Sequence, residues 1–152
     1  MSLLKRIDED LIKALKNRET DKTTLFRGLK SDIKYKKIEK GDELTDEEIE
    51  GVLSSAAKRR RDSIEQFKAG NQQDLVDKET FELNIITTYL PEQMSEDKLR
   101  EIIGAAIAKT GADSPAKMGL IMKEVMPQIK GKADGKLVNK LAVEMLSKST
   151  EE

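Results

Sequence analysis

Apolar residues recur at three- and four-residue steps along nearly the whole chain, and no stretch alternates apolar and polar positions long enough to read as a strand. Ser2 is placed to cap a first helix with the stripe Leu3, Ile7, Leu11, Ala14 and Leu15, ending near Asn17. Asp21 is placed to cap a second, whose face is Leu25, Phe26, Leu29 and Ile33 and whose stop is Gly41. Thr45 and Glu48 form a capping box, with Asp46 and Glu47 suiting the positive helix end, so a long third helix of about 25 residues should carry Ile49, Val52, Leu53, Ala56, Ile64 and Phe67 to Gly70. A fourth starts at Asn71 or Asp74, lines up Leu75, Val76, Leu83, Ile86 and Leu90, and is stopped by Pro91. Phe81 and Tyr89 fall near its edges and read as packing residues.

Beyond Pro91, Ser95 caps a fifth helix with Leu99, Ile102, Ile103, Ala106 and Ile107 inward and Gly111 at its end. Ser114-Pro115 opens a sixth with the stripe Met118, Ile121, Met122, Val125 and Met126, where Gly119 would let a neighbour approach closely. A methionine stripe reads first as core packing and second as an adaptable protein-binding groove. The last helix starts near Asp134 and buries Leu137, Val138, Leu141, Ala142 and Met145. The expected fold is all-α. A bundle of about four helices occupies residues 1–91, a small three-helix domain 92–148, and a frayed tail 149–152.

Composition narrows the chemistry more than the fold. Aromatics are 3% of the 152 residues and tryptophan is absent, so the core must come from aliphatic side chains, which suits helix packing. With no cysteine and no histidine, disulfides, thiolate nucleophiles, histidine or thiolate metal sites and a Ser-His-Asp triad are all excluded within the chain. Ser31, Ser54, Ser55, Ser63 and Ser114 have local helix or cap explanations, and Lys130-Gly131-Lys132 lacks the spacing and preceding strand of a phosphate loop. No catalytic residue, metal or cofactor is expected. The longest apolar run, 102–108, falls far short of the roughly 20 residues that span a bilayer, so the expectation is no membrane association and a cytoplasmic location.

Net charge is −1 and the sequence pI about 5.8, so attraction to nucleic acid would have to come from local patches. Three patches present themselves. The lysines 30, 34, 36, 37 and 40 are diluted by Asp32 and Glu39 and read as a solvated face. The run Lys58-Arg59-Arg60-Arg61 is split around its helix axis, and Arg60 falls on the apolar stripe, where an ion pair across a helix interface is the first reading. The third patch is a loop shaped by Pro127, Gly131, Asp134 and Gly135, in which Lys130 and Lys132 continue into Lys136 and Lys140 on the next helix. These four lysines are the candidate nucleic-acid-binding residues.

The same stretch, reading MGxxMxxVMPxxKGKADGKLVN from Met118, resembles the C-terminal signature of the GatB/YqeY family, and the resemblance extends through KRRRDSIEQF at 58–67 and YLPEQ at 89–93. The chain thus resembles the free-standing, YqeY-like members of that family. The resemblance implies a helical module similar to the tail region of the B subunit of the glutamine-dependent amidotransferases that amidate mischarged tRNA. It implies tRNA as a ligand, and a tRNA-processing, amidotransferase or synthetase protein as a partner. The family's label of carbon-nitrogen ligase with glutamine as amido-N-donor attaches to a relative's whole complex, since the tail is not the catalytic part. The alternative is a protein-interaction or scaffold module with no nucleic-acid binding.

Overall fold

A computed structural model describes residues 2–151, with side chains through residue 148. The all-α expectation holds: the described chain forms α1 (Leu3–Lys16), α2 (Thr20–Lys40), α3 (Asp46–Ala69), α4 (Gln73–Thr87), α5 (Glu96–Thr110), α6 (Met118–Ile129) and α7 (Gly135–Glu151). It divides into two compact units between Leu90 and Pro91. No helix among the described residues is long and apolar enough to cross a membrane.

The first unit is a pair of helical hairpins, α1 with α2 and α3 with α4, joined through contacts of α3 with α1 and α2. Ile7, Leu29, Leu53 and Ile86 are fully buried at its centre, and Ala56 and Ala57 keep α3 slim where its neighbours pack. Ser2 and Thr45 cap as the sequence foretells. The Ser2 hydroxyl accepts from the Lys5 amide at 3.2 Å, and Thr45 and Glu48 complete both halves of the capping box. Glu48 is held below the usual carboxylate range first by its hydrogen bond from Lys40, then by the Thr45 amide. A carboxylate depressed in the fold stabilises it above its unfolded pKa, and that contribution disappears as pH falls through the lowered value.

Several boundaries differ from expectation. The N-cap of α2 is Glu19 rather than Asp21; Thr23 is buried and its hydroxyl donates back to the Glu19 carbonyl at 2.9 Å. Arg18 and Asn71 take left-handed backbone at φ 57° and 55° in the tight turns after α1 and α3. The Asn71 case is ordinary, because its short polar side chain tolerates that region. Leu15 and Leu75 stand half in solvent instead of joining the core. Phe81, read as a packing residue, is 40% exposed, whereas Tyr89, read the same way, does pack and is only 4% exposed. It lies just past α4, its hydroxyl donates to the Asp10 carboxylate, the Phe26 ring meets it edge-on at 6.2 Å, and the Arg6 guanidinium sits 5.0 Å over its face. Burial, then the Asp10 carboxylate, pushes the phenol's pKa well up, so the hydroxyl keeps its proton as donor.

Arg60 does what its place on the stripe suggests: its Nε lies 3.2 Å from a Glu82 carboxylate oxygen on α4, and its Nη1 donates to the Ala56 carbonyl at 3.2 Å. Its neighbour Arg59 turns instead to Asp32 on α2, at 2.9 Å. The basic run is thus shared between two helix interfaces.

In the second unit each of α5, α6 and α7 packs on the other two around Leu99, Ile103, Ile121, Val125, Ile129, Val138, Leu141 and Leu146. Ser95 caps α5 through the Lys98 amide, and Gly111 closes it in the left-handed region at φ 68°. A 3-10 turn, Pro115–Lys117, precedes α6, and Ser114 makes no side-chain capping bond. Of the methionine stripe, Met118 and Met122 pack against the core while Met126 stays 43% exposed, because the buried row is Ile121, Val125 and Ile129. Gly119 has no close neighbour: a Cβ there would meet nothing within 4 Å. Of the tail expected to fray, the backbone of 149–151 belongs to α7, and the rest lies outside the described residues.

Candidate functional site

The basic loop is held by the ends of two helices and by a segment nearly forty residues earlier in the chain. Pro127 was expected to shape the loop, yet it lies inside α6, which runs on to Ile129. The physical reason is simple. A proline near a helix end removes one amide donor, and burying Ile129 completely outweighs that loss. Gly135, also expected in the loop, is the first residue of α7.

The loop proper is Lys130 to Asp134. Lys130 leaves the helix with φ −54° and ψ 121°, and Gly131 takes φ 76°, a left-handed position that favours glycine. The amides of Lys132 and Ala133 return to the Ile129 carbonyl at 2.8 and 3.2 Å. Asp134 acts as the cap of α7: its carboxylate accepts from the Lys136 amide at 3.1 Å and its carbonyl from Val138 at 3.1 Å.

Two residues near the start of the second unit hold this loop. The Gln93 side-chain amide donates both to the Pro91 carbonyl and to the Gly131 carbonyl, at 3.1 Å each. The Met94 amide donates to the Lys132 carbonyl at 2.8 Å. Gln93, the last residue of the YLPEQ run, is therefore hydrogen-bonded to the KGKADG run within the second unit. Replacing Gln93 with alanine should cost about 1 kcal/mol and speed hydrogen exchange at the Lys132 and Ala133 amides, without a matching change in α5; exchange followed by mass spectrometry checks it.

Lys130, Lys132, Lys136 and Lys140 are all exposed. Among the described residues, ion pairs of the second unit join Lys98 to Glu101, Arg100 to Glu96 and Glu144, Lys109 to Glu124, and Lys117 to Asp113. Lys130, Lys132 and Lys140 take part in none of them, and Lys136 has a contact of its own. Between residues 117 and 148 stand seven lysines and three carboxylates, two of which, Glu124 and Glu144, are engaged by cations of α5. The four lysines of the loop and of the start of α7 are open to solvent. Among the described residues no group of acidic side chains is placed to hold a metal ion.

A two-unit, all-helical module with a clamped basic loop is the class these features define. The chain belongs to the Yqey-like protein family, whose model matches residues 4–146. It is similar to "Altered inheritance of mitochondria protein 41, mitochondrial" of Lachancea thermotolerans, at 38% identity over 55% of this chain and 46% of that protein. The protein of the same name from Saccharomyces cerevisiae strain YJM789 is 31% identical over 88% of this chain and 71% of its own length. That from Pyrenophora tritici-repentis is 25% identical over 95% and 81%. The chain spans about half the length of the relatives it matches over 85 residues.

Proposed function

We propose that the chain is an accessory tRNA-binding module, without catalytic activity of its own, that works beside a tRNA-processing, amidotransferase or synthetase partner. The observation that carries this reading is the clamp: Gln93 and Met94 fix the carbonyls of Gly131 and Lys132, which stiffens a loop whose lysines are left to solvent. Fixing cations before they meet an anion reduces the ordering cost of binding. That the anion is tRNA rests on the resemblance of this stretch to the tail region of the amidotransferase B subunit. The ligase label belongs to such a complex as a whole. The cytoplasmic location remains part of the proposal, alongside relatives whose names are mitochondrial.

Asp134 already occupies the start of α7, so phosphates meet lysine side chains beside the helix rather than its free amides. Binding should be weak and largely indifferent to sequence, with a log-log salt slope of roughly −2 to −4 if three or four phosphates are contacted. The test is titration of the full chain with unfractionated tRNA at low salt. The Lys130→Glu, Lys132→Glu, Lys140→Glu triple variant should bind at least about tenfold more weakly with an unchanged thermal transition, since none of the three is buried. Absence of wild-type binding, or equal binding by the variant, would favour the second reading, a protein-interaction or scaffold module, which the net charge of −1 and pI of about 5.8 support.

A further inference from the structure

The outer face of α6 carries a second surface, which shares only Lys130 with the clamped loop. At 100° per residue, Met126, Gly119, Lys123, Pro127 and Leu120, together with the C-cap Lys130, fall in one arc of about 120°, opposite the buried Ile121 and Val125. All six are exposed, Leu120 by 50% and Met126 by 43%. An ordinary solvated helix face mixes charges of both signs. This one holds two lysines, no carboxylate and four apolar or small residues. Among the described residues Lys123 enters no ion pair, and the nearest acid along the helix, Glu124, is turned to Lys109 of α5 at 3.0 Å.

We propose that this face docks an amphipathic helix of a protein partner, one whose apolar stripe is flanked by carboxylates. Gly119, Lys123, Met126 and Lys130 follow steps of four, three and four, the spacing by which one helix seats its knobs along another. Gly119 is an open notch, since a Cβ there would touch nothing, and a flexible methionine beside it adapts to a partner's side chains. Leu120 and Lys130 are about 15 Å apart along the axis, enough for two to three turns of a docked helix. The unpaired lysines select an acidic partner, because a basic one would leave like charges facing each other. An unpaired RNA strand fits less well. Its bases stack on aromatic rings, and all five aromatics of the chain, Phe26, Tyr35, Phe67, Phe81 and Tyr89, lie before residue 90.

The test uses the full chain and two synthetic helical peptides with the same leucine stripe, one flanked by glutamates and the other by lysines, together with a uridine oligonucleotide. The acidic peptide should bind, and the basic one at least about tenfold more weakly. Leu120→Glu and the uncharged Met126→Asn should each weaken the acidic peptide by a similar factor while leaving the thermal transition and tRNA titration unchanged. The Lys132→Glu, Lys140→Glu double variant, altered only in the loop and α7, should bind the peptide like wild type; this separates the docking face from the tRNA reading. Equal binding of the two peptides, no binding of the acidic one, indifference to both α6 variants, displacement of the peptide by the oligonucleotide, or self-association through Leu120 and Met126 in sedimentation would each overturn the proposal.

Discussion

Replacing Ile121 with alanine should unfold the second unit while the first keeps its own transition. Ile121 is fully buried among residues of α5, α6 and α7, and truncating such a side chain costs about 2–5 kcal/mol through lost burial and the cavity left behind. A domain of about 60 residues has a total stability of only a few kcal/mol. The loss is therefore comparable with everything the unit has. Since Ile121 belongs to a core cluster made wholly of residues beyond Pro91, the cluster around Ile7 and Leu53 should be untouched. Amide NMR spectra at 25 °C decide the matter: collapse of the signals from residues 95–148 with retention of those from 3–87 is the expected result. Loss of both sets together would mean that the two units fold as one cooperative body. Ile7→Ala supplies the reciprocal measurement.

The parts of this fold that were legible in the sequence are those fixed by local chemistry. Thr45 and Glu48 are three residues apart and each side chain accepts from the other's backbone amide, so the start of α3 needs no knowledge of the tertiary structure. Ser95 and Gly111 bracket α5 for the same reason. Arg60 was legible too, because a cation on an apolar stripe requires an acid from the neighbouring helix, and Glu82 supplies it. What escaped depends on partners distant in sequence. Pro127 looks like a stop until Ile129 is seen buried against the other helices. Tyr89 reads as a packing residue, yet nothing local shows that its hydroxyl donates to Asp10, 79 residues away. Gln93 belonged to a recognised run, yet nothing local shows that its amide holds a loop 38 residues on.

Removing Glu82 alone should destabilise the first unit, and removing its partner as well should restore much of the loss. The side chains of Arg60 and Glu82 retain only 20% and 15% of their exposure, so the pair is far less screened than Lys98–Glu101 or Lys36–Glu39 on the surface. Glu82→Leu leaves a guanidinium with its stem among α3 and α4 residues and only the Ala56 carbonyl to satisfy it. That should cost about 1–3 kcal/mol, below the figure for a fully enclosed pair because water still reaches the site. In the double variant Arg60→Met, Glu82→Leu, the unpaired charge is gone and two aliphatic side chains fill the interface, so stability should return to within about 1 kcal/mol of wild type. The double-mutant cycle in urea is the measurement, and it separates the coupling from the packing of each stem. Two near-neutral single variants would mean that this pair behaves like its surface counterparts. A double variant worse than either single would mean that the interface has no room for the aliphatic pair, and that Arg60 is held there by shape as well as by charge.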